Sequence, residues 1–230
     1  MNKQNSKSWD PIWEEIFSSR DWGKYPPEEL VRFIARNYFH LPDRKEIKIL
    51  DAGCGTGACL WFLAREGLTA IGVDGSFSGL LKARSRLMKE SLTEFLSRSD
   101  LRNLPFKNAS FDAVIDISSA HQNRVADIKT IFSEFRRVLK PDGIIFSIMP
   151  DIASWGYNTG TKVEDSTFHN VLEGPYKNLG NTHFTSESDL DDFFEGFTVI
   201  SKEIISRTFE NRSKEIRNWV ISARVISNKS

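Results

Sequence analysis

The fold follows from nine residues, Ile49-Leu50-Asp51-Ala52-Gly53-Cys54-Gly55-Thr56-Gly57. Their apolar start predicts a buried strand, and the three glycines that follow alternate with other residues. Glycine allows a left-handed backbone and a close approach to a ligand. The start of a following helix offers free N–H groups and positive potential. These residues therefore predict a strand, a ligand-binding turn and a helix at the carboxyl edge of a sheet.

Strand-like and helix-like segments alternate along the chain around this turn. Strands are predicted at 47–51, 69–74, 94–99, 111–116 and 144–149, and helices at 58–66, 77–89 and 127–139. Strands that are apolar throughout are typical of a parallel sheet that is buried on both faces. The alternation predicts an α/β fold with a doubly wound sheet.

Two helices are predicted before this alternating part. The first covers 10–17, with Asp10 as its N-cap and a proline at the next position. The second starts at Pro26 and continues through Phe39, and the prolines and acids at its start suit a helix N-terminus.

The chain changes character after the fifth predicted strand. Residues 151–184 have no clear period, so we expect an irregular segment that covers the carboxyl edge of the sheet. A short helix is predicted over 185–194, with Ser186 at the start of a capping box. Two strands, 197–207 and 215–226, then predict a terminal antiparallel pair. A chain of 230 residues is long enough for one domain with a full core.

Composition excludes several classes of partner. The chain has 31 basic and 31 acidic residues, so nothing attracts it generally to nucleic acid or to an anionic membrane. We interpret the basic run at 82–89 as a solvated helix face. The start of the chain lacks the apolar region of a secretory signal, and no run of about 18 apolar residues exists. With Cys54 and Cys59 interpreted as reduced thiols, a cytoplasmic protein is expected.

Acidic residues end three successive predicted strands, at Asp51, Asp74 and Asp100. Residues 53–58 fit the dinucleotide pattern G-x-G-x-x-A, and Asp74 suits the ribose of NAD as well as that of other nucleosides. Asp51 separates the alternatives, because a carboxylate before the glycines repels a pyrophosphate and attracts a cationic amino group. A carboxylate at Asp100 suits an adenine amino group, with the N–H of Leu101 beside it. The acids thus favour a positively charged nucleoside.

The sequence resembles the class I S-adenosylmethionine-dependent methyltransferases of the small-molecule type. The motifs that carry the resemblance occur in the family's order and spacing between residues 47 and 149, and they are LDAGCGTG, GVDGS, SDLRNLPF, FDAVID and EFRRVLKPDGIIFSI. The resemblance implies S-adenosyl-L-methionine as the cofactor. It also implies a Rossmann-like sheet of about seven strands, mostly parallel, with a terminal antiparallel pair and an N-terminal helical lid.

The resemblance implies a set of site residues as well. The methionine part would lie on Asp51 and the glycine turn, the ribose on Asp74, the adenine on Asp100 and Leu101, and the methyl group beside Asp116. The expected cofactor-binding residues are Asp51, Gly53, Cys54, Gly55, Gly57, Asp74, Gly75, Ser76, Asp100, Leu101, Asp116 and Ile117.

The N-terminal aromatic residues resemble the lid of the same family more loosely. Trp9, Trp13 and the segment 22–26 fit such a lid, although packing of the helices on the sheet explains these tryptophans equally well. Tyr25 or Arg20 is a candidate partner of the cofactor carboxylate. The expected divisions of a single methyltransferase domain over 1–230 are a lid at 1–45, a cofactor-binding core at 46–150, a substrate-side cover at 151–190 and a terminal strand pair at 191–230.

Two histidines are candidate catalytic residues. His121 follows the fourth predicted strand, where the methyl group is expected, and is a candidate general base. His183 precedes the helix at 185–194 and is a candidate for the acceptor pocket. A purely structural role is the alternative for each. The four histidines have no metal-ligand spacing, so no metal is expected.

These observations predict a methyltransferase that acts on a small polar molecule, such as a sugar or another metabolite. The family's enzymes that methylate amino groups of nucleic acids and proteins carry an Asn-Pro-Pro-Tyr motif after the fourth strand. This sequence has no such motif there. One alternative is a non-catalytic module that binds S-adenosylmethionine or a partner. A remote alternative is an NAD-dependent oxidoreductase. The sequence does not give the oligomeric state.

Overall fold

A computed structural model describes residues 10–20, 22–93 and 95–226. Trp9 and the first residue of the predicted third strand, Glu94, lie outside the described residues. The elements in chain order are α1 (Ile12–Ser19), α2 (Glu28–Tyr38), β1 (Lys48–Ala52), α3 (Ala58–Arg65), β2 (Thr69–Asp74), α4 (Phe77–Met88), β3 (Leu96–Arg98), β4 (Phe111–Ile117), α5 (Val125–Val138), β5 (Leu139–Pro150), β6 (Thr161–Glu164), β7 (Thr167–His169), β8 (Asn181–His183), α6 (Glu187–Phe193), β9 (Phe197–Phe209) and β10 (Lys214–Val225).

The described residues form a seven-stranded sheet in the order β3-β2-β1-β4-β5-β10-β9. Strands β1 to β5 are parallel, and β10 is antiparallel to both β5 and β9. The predicted Rossmann-like sheet with a terminal antiparallel pair is therefore confirmed. The strand order reverses between β1 and β4, and open α/β sheets bind ligands in the crevice at this point.

Each central strand buries both of its faces. Leu50 and Val114 pack with α5 and α6 on one side of the sheet. Their neighbours Ile49 and Ile115 pack with α2 and α3 on the other side. Because successive side chains of a strand point to opposite faces, such strands are apolar throughout, as the sequence showed.

Local hydrogen bonds begin the helices where the sequence indicates. The hydroxyl of Ser76 accepts a hydrogen bond from the N–H of Gly79 at the start of α4. Ser186 and Asp189 form a complete capping box at α6. At α1 the N-cap is Pro11 and not Asp10 as expected, and the Asp10 carboxylate accepts a hydrogen bond from the N–H of Ile12 at 3.1 Å one residue before the cap.

The expectation of an irregular segment over 151–184 was wrong in part. This segment contains a small antiparallel sheet in the order β6-β7-β8. Its strands have three or four residues each, and a turn at Ser166 has a left-handed φ of 55°. Strands this short do not show a clear alternation of apolar and polar residues. None of the helices in the described ranges has the length and apolar content that crossing a membrane requires.

Candidate active site

A cavity of about 410 Å³ lies at the carboxyl edge of the sheet, around the point where the strand order reverses. The glycine turn and the end of β2 form its floor, α1 and residues 22–27 cover one side, and residues 175–179 with β10 close the other side. The predicted site residues in its wall are Asp51, Gly53, Cys54, Gly55, Asp74, Gly75, Leu101 and Ile117. Gly57, Ser76, Asp100, Asp116, His121 and His183 are placed outside this wall.

The glycine turn requires glycine for two reasons. Gly53, Gly55 and Gly57 all have left-handed φ angles, between 49° and 81°. A Cβ atom on Gly53 would lie 1.9 Å from the Oγ of Ser119, and one on Gly57 would lie 2.7 Å from the Cβ of Ala83. The turn therefore fits closely between its neighbours and leaves its backbone against the cavity.

Asp51 is a buried acid in the wall of the cavity. Within the described part of the chain, its Oδ2 atom has no hydrogen-bond partner. Burial raises the pKa of Asp51 to about 7, and the nearby carboxyls of Asp74 and Asp116 act in the same direction, while a backbone hydrogen bond from Leu60 opposes them. A positively charged group in the cavity would satisfy this oxygen and stabilise its ionised form.

Asp74 is buried in the wall but is well hydrogen bonded. Its Oδ2 accepts from the N–H of Gly55 at 2.8 Å, and its Oδ1 accepts from the N–H of Ser76 at 2.7 Å. Burial raises the pKa of Asp74, although these two hydrogen bonds oppose the rise. Each oxygen keeps a second lone pair, so the carboxylate can still accept hydroxyl groups of a ligand.

Asp100 does not face the cavity as the sequence analysis expected. Its Oδ2 lies 3.1 Å from Nη2 of Arg102, whose Nη1 contacts the Oδ1 of Asp127 at 2.8 Å. Its neighbours Ser99 and Leu101 line the wall instead. Two of the three predicted acids therefore meet at the cavity, and the third pairs with an arginine.

Asp116 is buried beneath the turn that follows β4 and does not reach the wall. Its Oδ1 accepts from the N–H of Ala120 at 2.9 Å, and its Oδ2 accepts from the hydroxyl of Ser147 at 2.6 Å. Burial raises its pKa to about 6, against the effect of these hydrogen bonds. Asp116 therefore orients the turn, and Ile117 is the residue of this pair that lines the cavity.

The two candidate histidines are buried outside the wall. His121 is 2% exposed, its ring packs against Tyr176 at 5.4 Å, and burial lowers its pKa to about 3. His183 is 1% exposed, and its Nδ1 lies 2.9 Å from the hydroxyl of Thr167. A general base must contact the acceptor, so the structural alternative fits both positions better and the catalytic roles gain no support.

Polar residues that were not among the predicted site residues also line the cavity. Gln122 and Asn123 directly follow His121, and the Tyr176 hydroxyl donates to the Oδ1 of Asn218 at 3.1 Å. Asp10, considered only as a helix cap, also lies in the wall. The segment after the fourth strand was correctly predicted to reach the cavity, but the residues that line it are Gln122 and Asn123 and not His121.

The N-terminal segment is fixed over the cavity by several contacts. The carboxylate of Glu14 accepts hydrogen bonds from the hydroxyls of Ser76 and Ser78 at 2.6 and 2.5 Å. The Thr56 hydroxyl donates to the carbonyl of Trp22 at 2.7 Å, and Nζ of Lys82 donates to the carbonyl of Arg20 at 2.7 Å. The basic run at 82–89 thus binds this segment in addition to facing solvent.

The two candidate partners of a cofactor carboxylate are placed differently. Tyr25 lies in the wall of the cavity, and Arg20 does not. The Arg20 guanidinium stands over the ring of Trp22 at 5.2 Å. Among the described residues, no group of three or more His, Cys, Asp or Glu side chains is arranged to hold a metal ion.

Comparison with known proteins identifies the same part of the chain. Residues 49–143 match a family described as a methyltransferase domain. An uncharacterized methyltransferase of Synechocystis sp. is 34% identical over 97 residues, which are 42% of this chain and 44% of that protein. A ubiquinone biosynthesis O-methyltransferase of Bartonella bacilliformis is 28% identical over 134 residues, 57% of this chain and 53% of that protein. The chain thus spans about half the length of these curated relatives.

Solved structures share the fold over most of the chain. An S-adenosylmethionine-dependent methyltransferase from Methanosarcina mazei has a TM-score of 0.69 at 20% identity, over 84% of this chain and 97% of that one. The 1,6-didemethyltoxoflavin-N1-methyltransferase of Burkholderia thailandensis, solved with 1,6-didemethyltoxoflavin and S-adenosylhomocysteine, has a TM-score of 0.63 at 16% identity, over 86% and 79% of the two chains. At these identities the likeness concerns the fold.

Proposed function

Because the chain belongs to the class I S-adenosylmethionine-dependent methyltransferases, we propose that it transfers a methyl group from S-adenosylmethionine to a small polar molecule. The observation that carries the proposal is that the buried Oδ2 of Asp51, a residue of the cavity wall, has no hydrogen-bond partner among the described residues. A buried carboxylate without a partner is unfavourable, so a fold that keeps one beside a cavity favours a cationic ligand. The ammonium group of the cofactor is such a cation.

The remaining contacts of the cofactor follow from the wall. In this proposal the backbone of Gly53 and Gly55 approaches the methionine part, and Asp74 accepts the ribose hydroxyls. Ser99 and Leu101 line the wall next to the end of β3, where the adenine of the cofactor would lie. The Asp100 carboxylate contacts Arg102, and this contact would have to break before Asp100 could accept the adenine amino group. We therefore assign the recognition of adenine to the backbone of Leu101.

The bound cofactor supplies a methyl group on a positively charged sulfur, which is the reactive part of the chemistry. The chain supplies alignment and a site from which water is excluded. Ile117 and the turn after β4 form the wall next to the proposed methyl position, and Trp13 and Phe17 cover it from α1. No side chain of this chain needs to form a covalent bond in such a transfer.

The acceptor side supports a small polar molecule. Asn123 and Asn218 place side-chain amides in the wall. The Nδ2 of Asn123 donates to the carbonyl of Ala120 and the Oδ1 of Asn218 accepts from Tyr176, and each amide has further donor and acceptor capacity for a polar ligand. A sugar or a similar metabolite fits such a surface, and we expect neither a nucleic acid nor a membrane as partner. We include in the proposal a single domain over 1–230 and a cytoplasmic location, for which the free thiols of Cys54 and Cys59 are the support.

The wall disfavours the NAD-dependent alternative. Asp51 lies in the wall beside the glycine turn, where a pyrophosphate would bind, and like charges repel strongly in a buried site. Calorimetric titration with S-adenosylhomocysteine and with NADH separates the two cofactors. Binding of NADH alone would refute the proposal.

A labelled-methyl assay on the small molecules of a cell extract tests turnover. We expect label in at least one compound, identified by mass spectrometry. If S-adenosylhomocysteine binds and no small molecule or partner is labelled, the chain is the non-catalytic module, and the transfer we propose is refuted.

A further inference from the structure

One face of α1 runs along the cavity from the glycine turn to the acceptor side. Trp13 and Phe17 lie in the wall and are four residues apart, which places them on the same face of α1, and Asp10, two residues before the start of α1, lies in the wall as well. The Phe17 ring lies 3.0 Å from the position that a Cβ atom on Gly55 would take, so it covers the glycine turn.

Asp10 is fixed at the place where α1 meets the cover. Its Oδ1 accepts from the N–H of Ile12, and a Cβ atom on Gly180 would lie 2.3 Å from its Oδ2. Its side chain is 20% exposed, and Nδ1 of His169 lies 4.0 Å from its Oδ2. The carboxylate therefore has one oxygen used by the helix and is only partly shielded from the cavity.

The charge of the wall is one-sided. Asp10, Asp51 and Asp74 line the cavity, and none of the described lining residues is Lys, Arg or His. Bound S-adenosylmethionine has an ammonium, a sulfonium and a carboxylate, so it adds one net positive charge. In the proposed arrangement Asp51 faces the ammonium group and Asp74 accepts the ribose hydroxyls, which leaves Asp10 for the acceptor. Because opposite charges attract most strongly in a partly buried cavity, this carboxylate favours a cation.

Aromatic rings in the wall of the same cavity favour the same ligand. Trp13 and Tyr176 both line the acceptor side of the cavity. The faces of such rings attract ammonium groups. A cavity wall that contains both a carboxylate and aromatic rings suits a protonated amine better than a phosphate or a carboxylate.

We propose that Asp10 is an acceptor-binding residue and that the acceptor carries a primary or secondary amine, bound in its protonated form. This inference rests on the proposed function, because it assigns the part of the cavity that the cofactor leaves open. The amine is the group recognised by Asp10, with Trp13 and Tyr176 around it. Acceptors whose charge is negative are rejected by the same three carboxylates.

The test uses the full chain, labelled S-adenosylmethionine and the small-molecule fraction of a cell extract. One half of the fraction is treated with an acetylating reagent that blocks its amines, and the reagent is quenched before the enzyme is added. We expect labelled products, resolved by mass spectrometry, from the untreated half and their loss from the acetylated half. Equal labelling of both halves would overturn the inference.

A pair of variants ties the result to Asp10. Asp10→Asn keeps the oxygen that accepts from Ile12 and removes the charge, whereas Asp191→Asn makes the same change at an exposed position of α6. At a limiting amount of extract, we expect labelling by Asp10→Asn to fall at least about tenfold while its affinity for S-adenosylhomocysteine stays within about twofold. Asp191→Asn should match the unchanged chain in both measurements.

The outcomes separate the two proposals. Normal labelling by Asp10→Asn, or a loss of cofactor affinity in that variant, overturns the role of Asp10. Failure of the unchanged chain to bind S-adenosylhomocysteine, or to label any small molecule, instead refutes the proposed function itself.

Discussion

Replacement of Asp51 by Asn is expected to change cofactor affinity and stability in opposite directions. The substitution keeps the shape of the side chain and removes its charge. If Asp51 holds the ammonium group of the cofactor, the loss is that of a hydrogen bond to a charged partner, about 1.5–3 kcal/mol. This corresponds to a rise of about 10- to 150-fold in the Kd of S-adenosylhomocysteine.

The effect on stability follows from the pKa of Asp51. It is about 7 in the folded chain against an ordinary value of 3.8. A raised pKa means that the stability contributed by the protonated carboxyl is complete below pH 3.8 and is lost as the pH rises through 7. At about 1.4 kcal/mol for each pKa unit, the loss above pH 7 is roughly 4 kcal/mol. Asn avoids this loss but leaves a buried amide unpaired, at about 1–3 kcal/mol.

We therefore expect the free energy of unfolding of the cofactor-free Asp51→Asn protein to rise at pH 8 by about 1–3 kcal/mol. Urea titration at pH 8 measures this change, and calorimetry at pH 7.5 measures the affinity. The affinity of the unchanged chain should also fall as the pH drops from 7.5 to 5.5, because Asp51 becomes protonated, and that dependence should weaken in the variant. Asp191→Asn is the control for the loss of one acid.

A purely structural role of Asp51 predicts a different pattern. In that case Asp51→Asn would lower stability, and affinity would follow only because less protein is folded. An unchanged Kd in a folded variant would refute the assignment of the ammonium group to Asp51.

Three further predictions follow from the geometry. Asp74→Ala should weaken S-adenosylhomocysteine binding by about 1–3 kcal/mol, because ribose hydroxyls lose a buried acceptor; calorimetry showing an unaltered Kd would contradict this role. His121→Ala should lower the free energy of unfolding by about 2–4 kcal/mol, since it empties a buried site, while turnover per folded molecule stays constant; a large loss of turnover without loss of stability would restore His121 as a base. Gly57→Ala should reduce both stability and cofactor affinity, and Ala83→Gly in the same chain should recover part of each, which urea titration and calorimetry can check; no recovery would mean that backbone strain at the left-handed φ dominates.

The elements of the sheet could be predicted because their signals are local. Strand β4 is apolar on both faces, so its burial is visible in consecutive residues. Ser186 forms its capping box with a residue three positions away, and the sequence identified it as the start of that box. The strands β6 to β8 could not be predicted, because three or four residues do not establish a period and their pairing depends on contacts across the cover.

Site residues could be predicted where the direction of a strand fixes their position. They could not be predicted where a side chain can pair with any of several neighbours. Asp51 and Asp74 lie at strand ends whose direction the sheet determines. Asp100 has the same kind of position, but the nearby Arg102 draws its carboxylate away. Asp10 lies in the cavity wall against Gly180, which is 170 positions later in the chain (180 − 10). Such long-range contacts have no signal in a single sequence.

The contrast between Asp51 and Asp116 explains why one of these buried acids points to a ligand and the other does not. Burial raises the pKa of both carboxyls. Both oxygens of Asp116 accept hydrogen bonds, from Ala120 and Ser147, and these bonds hold the turn after β4 in place. The fold therefore accounts for Asp116 without any other molecule. Within the described residues nothing satisfies the Oδ2 of Asp51, so its charge lowers the stability of the chain until a cation enters the cavity. A chain that keeps such a carboxylate gains from it only when the cation is bound.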